Sequence, residues 1–339
     1  MLVDDMDDMD SMDPMDGMDA VGGPLRYTWG GFNWRRDMRA LCVVWAAGIV
    51  FAASCFGADV VEKGADMLVG GKPWLRTMIT PPDTTSEASR EATYKVYTHV
   101  YDFAGKDYLT KGAGGKFTHH RGLFIGWKDT LIGGVDYDTW HMTNCTQEHL
   151  EWLAQDNGAA ASSQKEVIDW KDDDGKPIIH EVRTIAASQG EGGSRLIDFT
   201  SELNSKRGTI QLKGDLQHAG MQIRMANEVS EHEDSTQYIL PEGAKENKDD
   251  EVVGAWWVMG SVIVNENRVW VLHMTSPDLV TGQPVYSIRR YARFGAFFEP
   301  ELKEGTPLEL SFRVVVSEKE LDAKACASLY AAYAASRKK

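Results

Sequence analysis

The run Thr118-His119-His120-Arg121-Gly122-Leu123-Phe124-Ile125-Gly126-Trp127 sets two imidazoles and a guanidinium side by side ahead of an apolar stretch. An imidazole changes charge near neutral pH, and a guanidinium is a permanent cation in a rigid donor fork. Together they suit proton transfer, anion binding or metal ligation. A hydrogen-bonded pair at a strand start is the purely structural alternative. The stretch is short and rich in β-formers, so it reads as a strand. Alternation puts His119 and Arg121 on one face with Leu123 and Ile125, and His120 on the other with Thr118 and Phe124.

A second segment runs from Asp215 to Glu228 and alternates cleanly. Met221, Ile223 and Met225 face one way; His218, Gly220, Gln222 and Arg224 face the other. Solvated sheet faces favour Lys, Glu and Thr, so a row of His, Gln and Arg reads as a binding surface. A third segment follows Gly133-Gly134 and holds Asp136, Asp138, Trp140, His141, Asn144, Gln147, Glu148 and His149. It reads either as a functional loop on a rigid scaffold or as a polar surface loop around one buried Trp. A fourth, Tyr286 to Glu299, interleaves Arg289, Arg290 and Arg293 with aromatic residues. Arg293 there either clamps substrate oxygens or packs as a cation–π partner in a strand.

The elements that must position these residues are mainly β. Strand character recurs at 66–73, 94–102, 178–185, 195–203, 209–216, 221–229, 254–264, 268–274 and 308–316. About ten strands at this spacing, without a βαβ rhythm, predict a large antiparallel β-sandwich. The charged stretch Glu242 to Glu251 is expected to be an exposed loop. The Ala-rich end, 318–336, has helical spacing and is expected to form a helix packed on the sandwich. Residues 58–339 contain no strong linker and read as one domain.

The chain has 339 residues and a formal net charge of −15. Nine Asp and three Arg in residues 1–37 supply −6 of it, and the remaining −9 argues against a nucleic-acid partner. Eleven Trp suit either sugar stacking or a sandwich core. Residues 1–37 are a Met/Asp-rich extension without apolar periodicity, expected to be disordered and consistent with a start at Met38. Met38-Arg39, the apolar run Ala40 to Phe51 and the small residues up to Gly57 and Ala58 form a signal-peptide pattern. A periplasmic or secreted protein is therefore expected. Lipidation at Cys55 is the second choice. No segment is expected to span a membrane in the mature protein, because the apolar run of about 12 residues is too short. Cys145 and Cys326 make no zinc or redox motif, and export would permit a disulfide between them.

His119-His120-Arg121-Gly122-Leu123, His218-Ala219-Gly220-Met221-Gln222-Ile223-Arg224 and Arg293-Phe294-Gly295 occur in the same order in a bacterial family that this chain resembles. That family is labelled "methane oxygenase PmoA-like" and has no assigned function. The resemblance covers most of residues 65–316 and implies a secreted β-sandwich associated with carbohydrate processing. The oxygenase label implies several transmembrane helices, and this sequence has no apolar run of about 20 residues, so the label is set aside.

The resulting expectation is a carbohydrate-active protein on a sandwich resembling the galactose-mutarotase type. It would act on a sugar or glycoside by His-based acid–base chemistry, with epimerase, lyase and hydrolase left open. His120 and His218 are the expected acid and base, with Asp136 or Glu299 as the partnering carboxylate. Arg121 and Arg224 would hold substrate oxygens. His119, Trp127, Trp140, His141, Gln222 and Arg293 complete the candidate substrate contacts. One alternative is a non-catalytic sugar-binding module that stacks its ligand on Trp127, Trp140, Trp256 or Trp257. Another is a His-ligated metal enzyme drawing on His119, His120, His141, His149 or His218, although no His-Glu-x-x-His motif occurs. The sequence names no cofactor. The expected partner is a small molecule or an oligosaccharide.

Overall fold

The computed structural model describes residues 62–247, 250–279 and 282–337. The expected extension and signal peptide lie outside the described residues. Residues Gly57–Lys339 cluster as one compact unit.

Two antiparallel sheets carry the fold. The first has nine strands, in the order Gly64–Val69, Lys72–Met78, Tyr97–Val100, Leu123–Trp127, Ala219–Arg224, Arg293–Phe297, Val285–Ile288, Glu251–Val253 and Lys245–Glu246. The second has eight, in the order Gln237–Ile239, Trp257–Val264, Asn267–Thr275, Leu308–Ser317, Arg195–Ser205, Pro177–Gln189, Ala161–Asp172 and Cys145–Asn157. A four-stranded sheet joins Glu301–Leu302, Ile210–Lys213, Asp129–Ile132 and Val135–Tyr137. The architecture is the expected antiparallel β-sandwich with a C-terminal helix, Ala323–Arg337.

Alternation builds the core. Leu123, Ile125, Trp127, Met221, Ile223, Phe294 and Ala296 point from the nine-stranded sheet into one apolar cluster. Ile185, Ile197, Phe199, Val271, Phe312 and Val314 meet them from the eight-stranded sheet. The registers Met221↔Ile125 and Met221↔Ala296 put apolar residues opposite one another. The outer face of the eight-stranded sheet is closed by the helix. Cys326 and Tyr333 pack there on Met259, Leu272, Met274 and Val315. Tyr333 Oη and Ser311 Oγ share a hydrogen bond at 3.1 Å.

One buried ion pair crosses this core. Arg183 donates from Nε and Nη2 to Glu181 at 2.8 and 2.9 Å, and both side chains are fully buried. Trp170 Nε1 and Ser201 Oγ donate to the same carboxylate at 2.8 and 2.7 Å, so its oxygens are fully used.

Several sequence expectations change here. The polar segment after Val135 is not one loop: from Cys145 it becomes a 13-residue strand paired with Ala161–Asp172. That strand carries His149, whose Nδ1 meets Glu166 Oε2 at 2.8 Å. The charged stretch expected as a loop contributes the short edge strand Lys245–Glu246 and the start of its neighbour Glu251–Val253. A helix, Glu87–Thr93, capped by Ser86 Oγ on Ser89 N, was not foreseen. Cys145 and Cys326 are both buried and free, one in the main core and one under the helix.

Candidate functional site

The site lies on the outer face of the nine-stranded sheet, opposite the core. Gln222 sits across from Phe124 and Gly295, and Arg224 across from Arg293. Ser287 adjoins Gly295 on the next strand. This is the polar row that alternation predicts for Gly220, Gln222 and Arg224. A small apolar patch of Met78, Tyr97, Phe124 and Trp140 lies beside it.

The histidines reach this face from three chain turns. Strand pairing begins only at Leu123, because Gly122 takes φ 41 and a Cβ there would collide with the Thr98 carbonyl. The alternation expected for residues 118–121 is therefore broken, and His119 and His120 become neighbours with ring centroids 4.2 Å apart. His141 stands on the turn after Val135–Tyr137, and His218 on the turn before Ala219–Arg224. Ring centroids run 4.4 Å from His119 to His141 and 4.9 Å from His141 to His218.

Two of these rings are anchored in the same way. His141 Nδ1 lies 2.7 Å from Asp138 Oδ2, while Asp138 Oδ1 accepts from the backbone N–H of Trp140 at 3.1 Å and of His141 at 2.7 Å. His218 Nδ1 lies 2.7 and 2.8 Å from the two oxygens of Asp215, whose Oδ1 also accepts from Gln217 N at 2.8 Å. A carboxylate only accepts, so each Nδ1 carries the proton and each Nε2 is left as the reactive nitrogen. Burial works to raise the Asp215 pKa, but the hydrogen bond and charge of His218 outweigh it, with help from Gln217 and Lys128, and bring it down to about 2.

The other two histidines differ. Burial first, then His141 and Lys95, hold the His119 pKa well below its ordinary value. His120 is fully buried, and burial, His119 and Arg293 depress it in the same direction. Neither His120 ring nitrogen has a hydrogen-bond partner. His120 and His218 do not touch; Trp140 sits between them, with centroids at 5.8 and 5.9 Å.

Arg293 is fixed by acceptors alone. Its Nη2 donates to Gln217 Oε1 at 2.7 Å, and its Nη1 to Ser287 Oγ at 2.8 Å and Gln222 Oε1 at 3.4 Å. Arg224 donates to Ser230 Oγ at 2.9 Å and lies over the Tyr291 ring at 4.5 Å.

Other expected site residues lie elsewhere. Arg121 donates to the carbonyls of Thr118, Ala92 and Glu91 and stacks on Tyr94 at 4.4 Å, so it ties the loop to the helix Glu87–Thr93. Trp127 is in the core, with Nε1 donating to the Phe298 carbonyl at 2.9 Å. Asp136 is on the four-stranded sheet, where its carbonyl accepts from Asn144. Glu299 is exposed and accepts from Gly214 N at 3.1 Å. Neither carboxylate meets a histidine. Asp138 and Asp215 take that place, and the repeated spacing Asp-x-x-His is the sequence signal that marks them. Trp140 and Trp257 are buried, and Trp256 stacks on Tyr330 at 6.4 Å, so none of these is an open sugar platform. Among the described residues, no group of three or more His, Cys, Asp or Glu is arranged to hold a metal ion. No helix among them is long and apolar enough to cross a membrane.

Comparison with known proteins adds a family. No curated protein matches the chain. A galactose mutarotase related enzyme from Lactobacillus acidophilus, solved by X-ray at 1.9 Å, is similar at 9% identity. The match covers 75% of this chain and 97% of that one, with a TM-score of 0.38, too low to carry a functional argument. A family model matches residues 64–331, most of the described sandwich, and its description makes no mention of a methane oxygenase. The chain belongs to that family of unknown function, DUF6807.

Proposed function

We propose that this protein is an enzyme that moves protons on a sugar-class small molecule, with His141 and His218 as the acid–base pair. One observation carries the reading: two Asp-x-x-His turns bring carboxylate-anchored imidazoles to a ring separation of 4.9 Å. Acid–base catalysis needs one protonated and one neutral group within reach of the same substrate, each with a defined reactive atom. Carboxylate anchoring supplies the defined atom, because both Nε2 atoms are the nitrogens left over. Gln217, Gln222 and Ser287 add hydrogen-bonding groups suited to a polyol, and Arg293 is a fixed cation for an oxygen that gains negative charge.

The same geometry selects among reaction types. A glycosidase uses a facing pair of carboxyl groups to protonate and attack. Here Asp138 and Asp215 are committed to their histidines. Epimerisation, in which a carbon-bound proton is removed and returned, or elimination, in which one histidine takes that proton and the other protonates the oxygen that departs as the double bond forms, fits better than hydrolysis. The buried state of Trp127, Trp140 and Trp257 counts against the non-catalytic module. The signal-peptide pattern at residues 38–57 supports placing this activity outside the cytoplasm.

The test is proton exchange. The protein is incubated in D2O with neutral and acidic monosaccharides, and NMR follows deuterium incorporation and new products. His141→Asn and His218→Asn are each expected to slow exchange about 100- to 10,000-fold while circular dichroism stays that of the parent. Exchange that survives both substitutions would refute the assignment, as would binding with no exchange.

A further inference from the structure

Of the five fully buried arginines among the described residues, Arg121, Arg183, Arg195, Arg224 and Arg293, only the last two leave buried N–H groups without an acceptor. These are Nε and Nη1 of Arg224 and Nε of Arg293. Arg121 and Arg183, by contrast, use every guanidinium nitrogen on carbonyls or a carboxylate.

The unmatched groups of Arg224 and Arg293 are not isolated. Both His120 nitrogens, Trp140 Nε1 and the Tyr291 hydroxyl are also buried without a partner. They adjoin one another: the Tyr291 ring is stacked on His120 at 6.2 Å and lies 4.5 Å from the Arg224 guanidinium carbon. The Trp140 ring lies 5.9 Å from the Arg293 guanidinium carbon. Two buried lysines stand nearby. Lys95 donates to the carbonyls of His119 and Trp140, and Lys111 to those of Gly112, Phe117 and His120. Among the described residues, no carboxylate hydrogen-bonds or ion-pairs with Arg224, Arg293, Lys95 or Lys111. Glu233 acts on Arg224 only through space. A buried polar group without a partner is rare in proteins, and several together point to something that belongs there.

We propose that this donor cluster is a subsite for an oxyanion, a carboxylate, phosphate or sulfate group carried by the substrate, held by Arg224 and Arg293 with His120 as a further donor. The inference rests on the proton-transfer reading and narrows its substrate from sugars in general to sugar acids or acidic sugar esters. Arg–oxyanion contacts are charge-assisted, and burial strengthens them. Water would satisfy single donors but would leave the cationic charge uncompensated.

The experiment measures binding by calorimetry and thermal shift with galacturonate, glucose 6-phosphate, galactose 6-sulfate and neutral galactose as probes. At least one acidic probe is expected to bind the parent protein about tenfold or more tightly than galactose, and the three acids separate carboxylate, phosphate and sulfate. Arg224→Met is expected to lose that preference while its ligand-free melting temperature stays level or rises, because an uncompensated buried charge has been removed. Arg224→Lys keeps the charge and serves if the Met variant does not fold; it is expected to weaken the preference about tenfold. Equal binding of all four probes, no binding of any, or a variant that keeps the preference would overturn the inference. His218→Asn separates the two readings. It is expected to keep the anion preference and lose turnover. Anion preference without turnover in the parent sinks the proton-transfer reading alone, whereas turnover without anion preference sinks this one alone.

Discussion

Lowering the pH from 7 to 5 is expected to destabilise this protein steeply, through histidines folded away as neutral rings. Burial drives the pKa of His99 and of His273 down to about 3. Burial and neighbouring cations move His119 and His120 the same way. For each group the folded pKa lies below the unfolded value, so between the two the unfolded chain binds a proton that the native state does not. Stability is then complete above the unfolded histidine pKa of about 6.5 and falls as pH drops below it. At pH 5 a ring whose folded pKa is about 3, as in His99 and His273, costs about 2 kcal/mol relative to pH 7, so these two cost about 4 kcal/mol, and His119 and His120 add losses of the same sign. Lys95, held well below its ordinary value by burial and Arg121, adds a loss of the same sign as pH falls below the ordinary lysine range. A typical domain has only about 5–15 kcal/mol to lose. The assay is urea denaturation followed by Trp fluorescence at half-unit pH steps, with proton uptake on unfolding taken from the slope. About two protons near pH 5 are expected from His99 and His273, with His119 and His120 adding to that count. A stability that changes by less than about 2 kcal/mol over the interval would refute the burial of His99 and His273 as neutral imidazoles.

Two further expectations concern the scaffold. Trp127→Ala removes a fully buried ring from the core and its hydrogen bond to the Phe298 carbonyl; a loss of about 3–5 kcal/mol in chemical denaturation is expected, and a value under about 1 kcal/mol would remove Trp127 from the core. Glu181→Ala strands the Arg183 guanidinium in the core and is expected to cost about 3–5 kcal/mol, whereas the double variant Glu181→Leu with Arg183→Met should recover much of it; a double variant no more stable than the single one would show that the charge pair is not the reason.

How much of this was legible in the chain depends on the range of the interaction. Alternation is a one-strand property, so the polar face of Gly220, Gln222 and Arg224 and the apolar face of Met221 and Ile223 follow from residue order alone. The same parity already groups Trp127 with Leu123 and Ile125, which is why it lies in the core and not beside a ligand. Class and the C-terminal helix were legible for the same reason. The Asp-x-x-His turns are local too, and a carboxylate three residues before a histidine can reach its Nδ1 in one tight turn. Looking for the partner farther away pointed instead to Asp136 and Glu299.

Tertiary structure decided the rest. His119, His141 and His218 come from turns far apart in sequence: the turns of His119 and His218 lead into neighbouring strands of the nine-stranded sheet, while that of His141 joins the four-stranded sheet to the eight-stranded one, so only the packed sheets bring the three together. The Thr98 carbonyl leaves room only for a glycine at 122, a contact between strands, and the positive φ of Gly122 and of Phe117 together free His119 and His120 from alternation. Whether a buried arginine is structural or available is likewise a question of acceptors supplied by other segments. Arg121 finds three carbonyls, while Arg224 and Arg293 keep donors to spare, and residue type cannot distinguish them.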